Sequence, residues 1–244
     1  MEWFAGIGAL RLPGVAAMAV TFLGAYLIGS IPWAYVLVGW LTGEDITEHG
    51  TGNVGAMNVK RTTGSWGWFA VAMVADALKG IGSVLLARWL AAPLLSAMSG
   101  ALGGPAQAVG ATVQVEDFVA QAALIGAVVG HNWSLYLSVA KGRLMGGKGL
   151  ATGGGALLAY DPLYFAIVIV GGLSVIFITK YMMAGQVAAA VVLPLFTIAT
   201  QRPDWPFTLV LGIIVYVRHH RRFMGLLRGE EPRFYTKDNM GPKG

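Results

Sequence analysis

The chain has 244 residues, of which 56% are hydrophobic and only 12% charged, with a mean hydropathy of +0.64. Soluble domains carry about 25% charged residues, so this balance excludes an ordinary soluble protein and indicates an integral membrane protein. The net charge of +5 comes from basic residues scattered through short loops and one tail, which fits membrane sidedness and not nucleic-acid binding, and zero cysteines exclude disulfide or thiolate chemistry.

In chain order, the first apolar stretch covers 15–41. It is too long for a signal-peptide core and is expected to be a retained helix. Residues 42–66 follow as a polar segment containing Thr51-Gly52-Asn53-Val54-Gly55-Ala56-Met57-Asn58-Val59-Lys60-Arg61. Glycines let backbone N–H groups approach an anion closely, and the hydroxyl, carboxamides and cations around them suit a phosphate. The next stretch, 67–91, is interrupted by Asp76 and Lys79. Three residues apart on a helix, these share a face and can pair. Such groups inside a membrane mark either function or a structural ion pair.

Residues 92–117, with Gly100, Gly103, Gly104, Pro105 and Gly110, read as an external loop. In the third stretch, 118–140, Gly126 and Gly130 make a G-x-x-x-G face for a helix contact, and His131 is either an interhelical donor or a catalytic group. Gly142-Arg143-Leu144-Met145-Gly146-Gly147-Lys148-Gly149 then places a cation among glycines. It matches a nucleotide P-loop except that Gly149 stands where that motif needs Ser or Thr for Mg²⁺, and it follows a membrane span instead of a strand. A phosphate cradle survives without the nucleotide. The region 149–179 is too long for one span, and Tyr160-Asp161-Pro162 is expected to break it into 149–160 and 162–179. Stretches 183–200 and 206–217 complete seven helices. The tail from Arg218-His219-His220-Arg221-Arg222 to Glu231 is basic enough to attract anionic headgroups. His219 stands apart, at the membrane exit.

When the sides alternate, segments 42–66, 141–149, 180–182 and 218–244 fall together and carry most of the 17 Lys and Arg. Only Arg11, Arg88 and Arg202 lie opposite, and Lys79 is within a span. The basic side is cytoplasmic, which puts the N-terminus outside and the C-terminus in the cytoplasm. The expectation is an all-α integral membrane protein, one membrane domain over 1–244, with about seven transmembrane helices. Both glycine-rich segments then face the cytoplasm, pointing to chemistry on a phosphorylated, lipid-related substrate. No His, Asp and Glu spacing makes a credible metal-ligand set, so no metal or other cofactor is expected.

Several ordered segments resemble the PlsY family, the acyl-phosphate-dependent glycerol-3-phosphate acyltransferases of bacterial inner membranes. These are Gly29-Ser30-Ile31-Pro32, Asp45-Ile46, residues 49–61, Asp76-Ala77-Leu78-Lys79-Gly80, Gly130-His131, residues 146–152, Arg218-His219 and residues 226–232. The resemblance implies seven helices and a cytoplasm-facing site in the bacterial cytoplasmic membrane. It also implies acyl transfer from acyl phosphate to the 1-hydroxyl of glycerol 3-phosphate, giving lysophosphatidic acid for phospholipid synthesis. It further implies that acyl-CoA and acyl-carrier protein are not used directly. The other acyltransferase class carries H-x-x-x-x-D, whereas His131 and His219 here are followed at that spacing by Tyr136 and Met224. The implied partners are acyl phosphate, glycerol 3-phosphate and the lipid bilayer, with no nucleic acid; the sequence leaves the oligomeric state open and is compatible with a monomer.

The resemblance implies catalytic roles for Thr51, Lys148 and His219. It implies phosphate binding by Gly52, Asn53, Gly55, Asn58, Arg61, Gly146, Gly147 and Glu231, with Asp76, Lys79 and His131 in support. Arg61 would grip a phosphate with two parallel bonds, and Lys148 would neutralise charge on the leaving phosphate. The base would be His219 or the substrate's own phosphate. The chain departs from the family pattern with Thr51 for Ser, Thr47 for Arg, Met57 for Thr, Ser134 for Pro, Met145 for Lys, Met183 for Ser and Arg222 for Asn. Two alternatives stay open. One is a divergent relative using another acceptor. The other is a small transporter or lipid-binding protein in which Asp76, Lys79 and His131 line a path.

Overall fold

The computed structural model describes residues 12–101, 112–231 and 233, and among them every long element is helical. In order these are α1 (Leu12–Gly29), α2 (Trp33–Thr42), a 3-10 turn (Ile46–Glu48), α3 (Ala56–Thr63), α4 (Trp66–Ala101) and α5 (Thr112–Asn132). Then come α6 (Leu135–Lys141), α7 (Leu150–Tyr160), α8 (Pro162–Thr179), α9 (Met182–Ala199) and α10 (Trp205–Leu227). Among the described residues, five segments are long and apolar enough to cross a membrane: Leu12–Thr42, Trp66–Ala101, Val115–Lys141, Pro162–Thr179 and Met182–Ala199. Helices also occupy the two remaining apolar stretches, but α7 has only 11 residues and the last turns of α10 carry Arg218, Arg221 and Arg222.

The chain divides into two compact units, one made of Met1–Pro32 and Val74–Asp161, the other of Trp33–Met73 and Pro162–Gly244. In the first unit α1 packs along α5 through small residues. A Cβ on Gly126 or Gly130 would run into the carbonyls of Phe22 and Tyr26, and one on Gly29 into Ala127. The expected G-x-x-x-G face is therefore a helix contact, close enough that only glycine fits. Gly80 and Gly155 do the same where α4 meets α7, against the carbonyls of Thr152 and Ala77. In the second unit α9 packs on α8 and α10, and a buried Thr197–Thr208 hydroxyl pair, 2.7 Å apart, ties α9 to α10. Tyr164 donates to Asp204 at 2.6 Å from the start of α8.

Two sequence expectations are changed. The stretch 15–41 is two helices, because Pro32 cannot donate to the helix ladder. The carbonyls freed at this break find partners in the same unit: Ile31 O accepts Lys79 Nζ at 2.8 Å, and Ser30 O accepts the Ser134 hydroxyl. The expected loop at 92–117 is helical over 92–101 and from Thr112 onward. Ala, Leu and Met in residues 91–98 are strong helix formers, and Pro93 is accommodated inside α4. Residues 102–111, where most of the glycines of that stretch fall, lie outside the described residues. The break at Tyr160-Asp161-Pro162 occurs as expected: Asp161 is extended (φ −148°) and α8 begins on Pro162.

Candidate functional site

In the first unit the loop carrying Lys148 is laid against the end of α5. It leaves α6 at Gly142, whose φ of 62° ends that helix. Met145 N–H donates to Ser138 Oγ at 3.0 Å, and Met145 O accepts Ser134 N–H at 2.8 Å. A proline at 134 would lack that N–H, so the residues at 134 and 145 meet in one backbone bond. Gly147 N–H donates to His131 O at 2.8 Å. The glycines allow this docking. A Cβ on Gly146 would strike Asn132 O, and one on Gly147 would land on the His131 ring. The glycines were expected to admit a phosphate; Gly146 and Gly147 instead admit α5. With its N–H taken by His131, Gly147 positions Lys148 and does not bind an anion through that group. Lys148 itself is partly buried, just before α7.

Below this loop lies the intramembrane charge cluster. Asp76 and Lys79 are 2% and 6% exposed and pair at 2.9 Å. His131 Nδ1 is 3.4 Å from Asp76 and 3.1 Å from Thr152 Oγ1. Lys79 also holds Ile31 O at the α1 break. The three ionisable groups thus face one another, and the peptide of His131 in turn holds Gly147.

In the second unit, residues 45–61 form a tight hairpin of backbone around Asn58. Asp45 caps the 3-10 turn, accepting Thr47 N–H at 2.9 Å and the Thr47 hydroxyl at 2.6 Å. Gly50 and Gly52 take φ values of 58° and 66° that side chains disfavour. Asn58 is 1% exposed. Its Nδ2 donates to Ile46 O at 3.1 Å and His49 O at 2.9 Å, and its Oδ1 accepts Thr51 N–H at 3.1 Å and lies 3.5 Å from the Thr51 hydroxyl. A carboxamide has two donors and two acceptor sites, so Asn58 has nothing left for the phosphate expected from sequence. It positions Thr51. Asn58→Ala should lower stability by about 2 kcal/mol, because buried carbonyls lose their donors. The effect would appear as a lower unfolding temperature in detergent and faster proteolysis between residues 45 and 58. Thr51 is exposed, Gly52, Asn53 and Gly55 are partly so, and Gly55 starts α3, on which Arg61 sits.

Arg61 has its pKa lowered from the ordinary guanidinium value, first by partial desolvation and second by the like charge of Arg222. It remains a cation, and a bound anion would offset both causes by favouring the charged form. On α10, His219 is 2% exposed and its Nδ1 lies 2.7 Å from Val215 O. A carbonyl only accepts, so Nδ1 carries a proton, and in the neutral form of the ring the lone pair is then on Nε2. Arg222 grips Glu231 with two parallel bonds, Nε to Oε1 at 2.8 Å and an Nη to Oε2. Glu231, expected among the phosphate-binding residues, is thus a carboxylate that orients an arginine. Sequence reading missed Arg222 as a site residue, although its departure from the family's Asn was the available signal. It also missed Ser138, which holds the loop through Met145 and carries no sequence signal beyond adjacency to the loop.

A family model described as glycerol-3-phosphate acyltransferase matches residues 19–229. The chain belongs to the glycerol-3-phosphate acyltransferase family. Glycerol-3-phosphate acyltransferase 2 of Moorella thermoacetica is 41% identical over 210 residues, covering 85% of this chain and 92% of that protein. A glycerol-3-phosphate acyltransferase of Thermus thermophilus is 35% identical over 221 residues, covering 90% and 96%. A crystal structure of PlsY (YgiH), an integral membrane glycerol 3-phosphate acyltransferase in its glycerol 3-phosphate form, matches with a TM-score of 0.68 at 25% identity, covering 91% of this chain and 98% of that one. This glycerol-3-phosphate acyltransferase family member is accordingly a multi-pass membrane protein. Both glycine-rich segments and His219 lie inside the matched range, while Glu231 lies just beyond it.

Proposed function

We propose that the protein transfers a fatty acyl group from acyl phosphate to the 1-hydroxyl of glycerol 3-phosphate, releasing lysophosphatidate and inorganic phosphate for phospholipid synthesis. The observation that carries the reading is the family match over residues 19–229, within which the cation- and glycine-bearing segments are held by side chains of their own units. Attack by the hydroxyl oxygen on the acyl carbonyl forms a tetrahedral intermediate. Its collapse breaks the bond to the phosphate oxygen, and the phosphate leaves. Lys148 offsets the charge on that leaving group. His219 Nε2, oriented by Val215, takes the hydroxyl proton. Arg61 grips a phosphate, and the nearby Arg222 is held by Glu231. Thr51, Gly52, Asn53 and Gly55 line the exposed loop held by Asn58, and the mixed anhydride is already activated, so positioning contributes much of the acceleration.

In this reading α7 and α10 also cross the membrane, giving seven spans with the N-terminus outside, and the basic segments face the cytoplasm of a bacterial cell. The mutual pairing of Asp76, Lys79 and His131 favours a structural cluster over a solute path. The test is purified protein given a long-chain acyl phosphate, acyl-CoA or acyl-carrier protein with a panel of phosphorylated and unphosphorylated acceptors. Lysophosphatidate from acyl phosphate and glycerol 3-phosphate alone supports the reading. No product from any acceptor, with solute flux in proteoliposomes, overturns it. Arg61→Ala should raise the KM for glycerol 3-phosphate about 10- to 100-fold, the loss expected for charge-assisted bonds, with little change in unfolding temperature.

A further inference from the structure

Asn132, the last residue of α5, is fully buried at 0% exposure. Neither atom of its carboxamide has a hydrogen-bond partner among the described residues. Buried amides are nearly always paired, and one left without a partner needs an explanation. This one lies against Gly149, where a Cβ would stand only 2.6 Å from Asn132 Oδ1. Gly149 is the N-cap of α7, has a φ of 70° and supplies no capping side chain. The first N–H groups of that helix lack carbonyl partners within it, and its dipole favours an anion there. Lys148 immediately precedes it. The amide oxygen and nitrogen are nearly equivalent in shape, so a half-turn about the last torsion puts Nδ2 where Oδ1 now lies.

We propose that Asn132 is a further substrate-binding residue, donating Nδ2–H to the phosphoryl group of the acyl phosphate held at the α7 N-terminus beside Lys148. This rests on the reading of acyl phosphate as the donor. Gly149 has a second purpose under it: the missing Cβ lets the carboxamide reach the anion through the gap. A carboxamide suits the task because it donates to a phosphate oxygen without adding a second full charge beside Lys148. The bound phosphoryl group gives the amide the acceptor it lacks.

Steady-state kinetics with palmitoyl phosphate and glycerol 3-phosphate on Asn132→Leu, Asn132→Ser and Asn132→Asp test the assignment. Asn132→Leu and Asn132→Ser should raise the KM for palmitoyl phosphate about tenfold and leave that for glycerol 3-phosphate unchanged. Asn132→Asp keeps the shape but brings a carboxylate to the anion, and should lose about 100-fold or more in kcat/KM. A packing role predicts the opposite order, with the isosteric Asp best tolerated. That order, or KM values for both substrates rising together, overturns the proposal. Stabilisation by inorganic phosphate, read as a rise in unfolding temperature, supplies a donor-independent measure. It should be present in wild type and reduced in Asn132→Leu and Asn132→Ser, and equal stabilisation in all three also overturns the assignment. If wild type forms no lysophosphatidate from palmitoyl phosphate, the donor reading fails, and the phosphate measurement still decides the role of Asn132. If wild type turns over and the three variants match it, only Asn132 falls.

Discussion

Lys148→Ala is expected to lower kcat for lysophosphatidate formation about 100- to 1000-fold, the range lost when one group aimed at developing charge is removed. The leaving phosphate gains charge as the acyl–oxygen bond breaks, so an interaction with it grows towards the transition state and appears in kcat more than in KM. Lys148→Arg should recover part of the rate, because it restores the charge with a different geometry. The loop keeps its main-chain and serine bonds at Met145 and Gly147, from Ser134, Ser138 and His131, in such a variant. An unfolding temperature close to wild type, with a collapsed kcat measured under saturating acyl phosphate, is the expected pair of results. A variant that keeps wild-type turnover would remove Lys148 from the chemistry.

The features legible in the sequence were those with local causes. Apolar stretches became helices because lipid leaves the backbone no partner but itself. Asp161-Pro162 ended one helix and began the next. Gly126 and Gly130, four apart on one face, marked a close helix contact. The remainder depended on which distant residues meet. The break at Pro32 is stable because Lys79 and Ser134, far along the chain, receive its carbonyls. The glycines of the Lys148 loop were read as openings for a phosphate, since nothing local revealed that α5 would fill the space beside Gly146 and Gly147. Asn58 looked like a ligand because carboxamides bind phosphates; four partners drawn from residues 46–51 show it to be a support. Arg222 could be seen to depart from the family pattern, but its bidentate hold on Glu231 needed the return of the chain after α10.

Asp76→Leu should be the most destabilising single change, costing about 3–5 kcal/mol, because it strands the buried Lys79 cation. The Lys79 ammonium is almost wholly shielded by protein, and its other described contact is the Ile31 carbonyl at 2.8 Å. That dipole does not replace a full charge at 2.9 Å. His131 would lose the same partner, and its peptide positions Gly147, so the damage should spread to the Lys148 loop and to turnover. The double variant Asp76→Leu with Lys79→Met removes both charges, and it should be more stable than Asp76→Leu alone, since an apolar pair often replaces a buried ion pair at little cost. Unfolding temperatures of the wild type, both single variants and the double variant, taken in one detergent, complete the cycle and isolate the coupling. Additive losses would mean that the pair is not coupled. Unchanged stability in both single variants, with altered solute flux, would return these residues to a transport path; strong coupling with activity regained in the double variant identifies them as a structural anchor beneath the catalytic loop.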